Sequence, residues 1–180
     1  MRRNLPCFLL CLLLYYNSNT GGRLPPYLEV FAMKKIAVAL FWILSLTWGL
    51  PATLAGAVLA LVCLAKGLKP KWFHGNIYFE HVRPYGSNNL GPFFFLGDRH
   101  LEITPYHEAG HGLQNIVLGP LFPLVVGVTS ELWFQHFNKK YADQIGVWSP
   151  EEHVAAYDKM PIERWATAWG VKAYGPVEPL

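Results

Sequence analysis

At 180 residues, 52% hydrophobic and only 15% charged, the chain has room for one domain, or for a membrane segment joined to a compact domain; the clustering of its apolar residues favours the second. The net charge of +3 is modest, and the lysines and arginines flank apolar stretches rather than forming a basic face interleaved with aromatics, which argues against nucleic acid as a partner. Cys7, Cys11 and Cys63 lie in apolar stretches without paired spacing, which argues against a disulfide scaffold or a thiolate metal site.

In chain order, residues 1–32 begin with Arg2 and Arg3, an apolar run from Leu5 to Tyr16 and a polar stretch from Asn17 to Pro26, the outline of a signal peptide. Met33-Lys34-Lys35 before an apolar segment has the form of a chain start in its own right. Residues 1–32 are therefore read as a leader or as a non-native extension, and no function is assigned to them. Ile36 to Ala65 carries no charge over 30 residues, more than the roughly 20 needed to cross a bilayer, so residues 34–66 are read as a membrane segment. Gly49 and Pro51 interrupt it, and both flanks are basic: Lys34 and Lys35 on one side, Lys66, Lys69 and Lys71 on the other. A hairpin bent at Gly49-Pro51 returns both flanks to the cytoplasm and is favoured over one tilted, kinked span, although arms of roughly fifteen residues are short for a full crossing.

Residues 70–180 are read as a compact domain. Asn76 to Val82 and Pro92 to Leu96 are rich in strand formers and flank a turn from Arg83 to Asn89, which predicts a small β-hairpin. Thr104-Pro105 offers a cap hydroxyl and a helix-starting proline, so a helix is predicted through His107-Glu108-Ala109-Gly110-His111. Tyr106, Ala109, Leu113, Ile116 and Val117 would face its core, leaving His107, Glu108 and His111 on the adjoining surface. Ile116 to Ser130 is uncharged but broken by Gly119, Pro120, Pro123 and Gly127, so it packs inside or dips toward the membrane. A helix follows from Glu131 to about Gln144. Ser149-Pro150-Glu151-Glu152 is a capping-box start, and Pro161 to Trp169, closed by Gly170, is a last helix.

The pattern His-Glu-x-x-His on a helix puts two imidazoles at i and i+4 on one face, where they can share one Zn²⁺, with the glutamate beside the metal as a general base. Zinc lowers the pKa of a bound water to about 7, which makes it a nucleophile for peptide hydrolysis with Glu108 taking its proton. A third ligand is required. Glu131, His136, Asp143, His153, Asp158 and Glu163 are the candidates downstream, and spacing does not choose among them. Glu163 has the best setting, in the first turn of a helix whose Ile162, Trp165, Ala166 and Trp169 form an apolar stripe. His153, Tyr157 and Arg164 are candidates to stabilise a developing oxyanion.

Trp48-Gly49-Leu50-Pro51, Phe73-His74-Gly75, His107 through Gln114, Leu118-Gly119-Pro120-Leu121, Val126 through Ser130, and Glu163-Arg164-Trp165-Ala166-Thr167 with Gly170 occur in this order. Over about residues 34–171 this order resembles a family of small bacterial membrane proteins with a zincin signature. The closing element is similar to that of integral-membrane gluzincins of the CAAX prenyl protease type. The resemblance implies Glu163 as third zinc ligand beside His107 and His111, a membrane-bound metalloprotease acting on a peptide or protein, and a location in the bacterial cytoplasmic membrane among lipid. The family aspartate four residues after that glutamate is Thr167 here, so a supporting carboxylate has become a hydroxyl. Asp143, with Lys139 where a ligand glutamate would stand, ranks second. The expected fold is mainly α with a small β-hairpin, a membrane segment followed by a compact zincin-like helical domain. The alternative function is a non-enzymatic membrane protein with a structural or degenerate zinc site.

Overall fold

The computed structural model describes residues 26–145 and 147–175, so the leader read into residues 1–32 lies outside the described residues as far as residue 25. By its contacts the chain divides into a unit ending at Ala39 and a unit from Leu40 onward. The described part of the first unit is the start of helix α1 (Pro26–Thr47), which runs without a break through Met33. All that follows concerns the second unit.

Helix α2 (Leu50–Ala65) starts with Pro51 in its first turn, and the chain changes direction by 97° between α1 and α2. The break falls at Gly49-Pro51, where the sequence predicts the segment to be interrupted. Side chains hold the corner: the Thr53 hydroxyl lies 2.7 Å from the Ser45 carbonyl and 3.0 Å from that of Gly49. No single described helix is long and apolar enough to cross a membrane; two bent pairs, Lys34–Thr47 with Leu50–Ala65 and Thr104–Leu121 with Pro123–Lys140, have the length and composition together. The faces of α2 are sorted by size. Ala52, Gly56, Ala60 and Cys63 turn inward, while Leu54, Val58 and Leu61 turn outward and are 57%, 63% and 65% exposed.

Four short strands form one mixed sheet in the order β1-β2-β4-β3: β1 (Lys71–Phe73), β2 (Asn76–Phe79), β3 (Asn88–Leu90) and β4 (Phe93–Phe95). The two segments expected to pair as a hairpin are indeed neighbours, but β2 and β4 run parallel, with Ile77 opposite Phe93. Each instead closes its own hairpin. His74 and Gly75, both at positive φ, turn β1 into β2 as a type I′ turn requires, and Gly91 at φ 70 opens the two-residue turn from β3 to β4. The end of the stretch read as a turn is thus a strand, and β3 is an edge. Phe79 and Phe95 stack at 5.8 Å and pack with Ala60 and Cys63 of α2 into one core. Each such buried phenylalanine contributes about 1.5–3 kcal/mol.

Helix α3 (Thr104–Leu118) carries the histidine pattern. Thr104 is its first residue rather than its cap; the hydroxyl instead accepts from the Leu101 amide at 3.0 Å. A 3₁₀ turn (Gly119–Leu121) and a π-helical turn (Pro123–Val128) lead into α4 (Thr129–Lys140). Within the broken apolar segment Phe122 and Val126 are buried beside Ala52, whereas Leu121, Leu124, Val125 and Val128 are exposed. Helix α5 (Pro150–Tyr157) opens on the predicted capping box, with the Ser149 amide donating to Glu152 and the Glu152 amide to Ser149. Helix α6 (Pro161–Tyr174) passes through Gly170 instead of ending there.

Both site helices depart from the expected amphipathic arrangement, although Ala109 and Ala166 are buried as expected. On α3 the buried positions are Glu108, Ala109, Gly110, His111, Gly112, Gln114 and Asn115, while Val117 is 52% exposed. On α6 the buried positions are Glu163, Ala166 and Gly170, and the tryptophans lie outside them. The reason is close helix contact. A Cβ at Gly110 would collide with the Ala166 carbonyl, and one at Gly170 with the Tyr106 carbonyl, so two glycines let the backbones of α3 and α6 touch. Gly110→Ala is expected to cost about 1–3 kcal/mol by overpacking and to lower bound metal, because a wider spacing separates Glu163 from the imidazoles. Thermal unfolding and metal analysis of the purified variant check both.

Candidate metal centre

His107 and His111 project one turn apart from α3, and Glu163 meets them from the first turn of α6, across the glycine contact. His107 Nε2 and His111 Nε2 are 3.1 Å apart, and Glu163 Oε2 lies 3.1 Å from the first and 3.4 Å from the second. Ligands at 2.0–2.1 Å from a tetrahedral ion stand about 3.3–3.4 Å from one another, so this triangle has nearly the edge length of one face of such a site. Glu163 is fully buried, and neither carboxylate oxygen has a hydrogen-bond partner.

The outer sides of the two rings define which nitrogens face inward. Gln114 donates its amide N–H to the Ile162 carbonyl at 2.9 Å, which turns its Oε1 toward His111 Nδ1 at 2.7 Å. His111 must therefore donate from Nδ1. Thr167 donates its single hydroxyl hydrogen to Asp158 at 2.9 Å and so accepts from His107 Nδ1, also at 2.9 Å. The hydrogen bonds thus place a proton on each Nδ1, so that the two Nε2 atoms turn toward one another and toward one carboxylate. Such a cluster calls for a positive charge at its centre. Burial lowers the His111 pKa, yet the Glu163 carboxylate against Nε2 outweighs it and raises the value to about 8. Burial likewise opposes ionisation of Glu163, but the two imidazoles hold its carboxyl well below the usual range. A metal ion meets the same demand as a proton, and the donor set fits one.

His107 and His111 border a cleft of about 140 Å³ whose walls include Glu108, Asn89, Ser130 and Tyr157, with Glu163 buried behind them. Glu108 is buried with Oε2 unpartnered; burial pushes its carboxyl up, and the Glu163 charge acts in the same direction. A carboxyl with a free oxygen in the cleft beside the two imidazoles is placed to exchange a proton with a group bound there. Tyr157 is the one of the three oxyanion candidates that reaches the cleft, with its ring 6.1 Å from that of His107. Burial raises its phenol pKa, so it stays a donor. His153 packs on Phe137 and Trp148, and Arg164 is exposed.

The other third-ligand candidates fall elsewhere. Glu131 is exposed at the cleft mouth, His136 stacks on Trp133, and Asp143 is exposed in the turn after α4. Asp158 approaches the site, but as a partner of Thr167. Sequence reasoning assigned no role to Gln114; its position three residues after His111, on the same helix face, was the available signal. Asn89 was read as part of a turn, and nothing local marks it. Comparison with protein-family models, with curated proteins and with solved structures finds no match for this chain, so the functional reading rests on the chemistry of this cluster.

Proposed function

We propose that the chain is a membrane-associated zinc-dependent peptidase in which His107, His111 and Glu163 hold the ion and Glu108 is the general base. The observation that carries this reading is the convergence of two Nε2 atoms and one buried carboxylate beside a cleft lined by a second carboxyl, that of Glu108, with one oxygen unpartnered. Two imidazoles and a glutamate match the protein donor set of a hydrolytic zinc centre, and a bound zinc would supply Lewis acidity there. Glu108 takes a proton from the attacking water and returns it to the departing amine, so that water and peptide become acid and amine. Tyr157, which lines the same cleft, is the donor to the developing oxyanion in this reading.

Support for a peptide substrate comes from β3. It is an edge strand whose residues line the cleft, and Asn89, only 8% exposed, has neither carboxamide atom paired. An extended peptide lying along this edge would meet both. An apolar groove of about 400 Å³ continues from there, walled by Leu90, Phe122, Val128 and Leu132, and suits a large apolar side chain. The membrane reading is supported by the uncharged run from Ile36 to Ala65 and by the outward leucines and valine of α2. At 16 residues, or about 24 Å, α2 is shorter than the roughly 30 Å hydrocarbon core, which favours partial entry over a crossing.

The test is hydrolysis of a quenched fluorescent peptide library by detergent-purified, zinc-loaded protein. Turnover that disappears on chelation and returns with zinc supports the proposal; a zinc-loaded protein without turnover sinks it. In the same assay Asn89→Ala is expected to raise KM several-fold with kcat little changed, corresponding to about 0.5–1.5 kcal/mol of lost substrate hydrogen bonding.

A further inference from the structure

The two imidazoles of the cluster are backed differently. His111 donates to a neutral amide, Gln114, whereas His107 donates to a hydroxyl whose own hydrogen is committed to a carboxylate. That commitment matters because a hydroxyl can serve an imidazole nitrogen as donor or as acceptor. A Thr167 hydroxyl released from Asp158 can turn its hydrogen onto His107 Nδ1. The ring then carries its proton on Nε2, the nitrogen that faces His111 and Glu163. With Asp158 in place the rotor is held in the other sense. Thr167 lies one turn after Glu163 on α6, and Asp158 caps the end of α5, three residues before α6 begins at Pro161. A single short connection therefore joins the carboxylate to the helix that supplies both the relay and the third ligand.

We infer that Asp158 is the positioning residue of His107: acting through the Thr167 hydroxyl, it fixes the tautomer that leaves Nε2 free for a metal and strengthens that nitrogen as a ligand. The inference rests on the metal-site reading of His107 but not on peptide hydrolysis. It also accounts for a threonine at 167, since the carboxylate is present at one remove, delivered from a different helix.

The experiment is zinc affinity, measured by competition with a chelating dye, for the wild type, Asp158→Ala, Thr167→Val, the double variant and Thr167→Ser. Loss of a hydrogen-bond partner of a metal ligand typically costs about 10–100-fold in affinity. Asp158→Ala and Thr167→Val are each expected to show that loss, the double variant no more than the larger of the two, and Thr167→Ser close to none, because serine keeps the hydroxyl. Nitrogen-15 NMR of His107 in the metal-free protein, recorded above the imidazole titration range, provides the readout that a merely structural role would not move. The Nδ1–H tautomer is expected in the wild type, with the Nε2–H form gaining population in Asp158→Ala. An Asp158→Ala protein that binds zinc as tightly as the wild type and keeps the Nδ1–H tautomer overturns the inference, as does a wild type already in the Nε2–H form. A wild type that binds no zinc removes the metal reading, and the tautomer measurement still decides the relay. A protein that binds zinc without cleaving peptides counts only against the peptidase proposal.

Discussion

Glu108→Gln is expected to keep one zinc per chain and to lose peptide hydrolysis by on the order of 10²–10⁴-fold, the span attributed to a positioned general base. Glutamine has the shape of glutamate and can still hydrogen-bond, but it cannot take a proton from water. The substitution is also mild for the fold. Glu108 is buried with Oε2 unpartnered, so removing its charge relieves a desolvation cost, and thermal stability should hold or rise. Metal content, unfolding temperature and turnover on a quenched peptide, measured together on wild type and variant, separate the two functional readings. An enzyme shows unchanged zinc and lost turnover. A structural zinc site shows no turnover in the wild type either, and full activity in the Glu108→Gln protein rules Glu108 out as base.

Glu163→Ala is expected to remove bound zinc almost completely. The carboxylate is fully buried and lies 3.1 Å from His107 Nε2 and 3.4 Å from His111 Nε2, in the group that could hold an ion. Losing a ligand outright should lower affinity by more than the roughly 10–100-fold that follows loss of a ligand's supporting hydrogen bond. The control is Asp143→Ala, which removes an exposed carboxylate in the turn after α4 and should leave metal content unchanged. Elemental analysis of the two proteins, purified side by side, reads the difference directly. A Glu163→Ala protein with full zinc occupancy would exclude this residue as a ligand.

The polar inward positions of α3 and α6 explain why the cluster is both buried and hard to anticipate. A helix normally shows its core face by apolar residues at i, i+3 and i+4. Here the inward positions of α3 are a carboxylate, an imidazole, amides and glycines, and those of α6 are Glu163, Ala166 and Gly170. The two helices meet across a contact that only glycine permits, which brings these polar groups together and leaves the Glu163 and Glu108 carboxyls without full hydrogen-bond partners, while larger apolar residues such as Val117 turn outward. Pattern reading therefore assigned His107, Glu108 and His111 to a helix surface that the fold encloses.

What the chain alone determined was local. His107 and His111 share a helix face because their spacing is one turn. Ser149 and Glu152 cap a helix because their side chains reach each other's backbone, and the chain breaks at Gly49-Pro51 because the helix cannot pass proline there undisturbed. Tertiary structure decided everything that depends on two distant segments meeting: β2 beside β4 in parallel, Glu163 rather than Asp143 or Glu131 at the imidazoles, and Asp158 behind His107 through Thr167. Local backbone preference is felt over a few residues, whereas a carboxylate becomes a ligand only where packing brings it within a few ångströms, and that distance is set by the two glycines that let α3 touch α6.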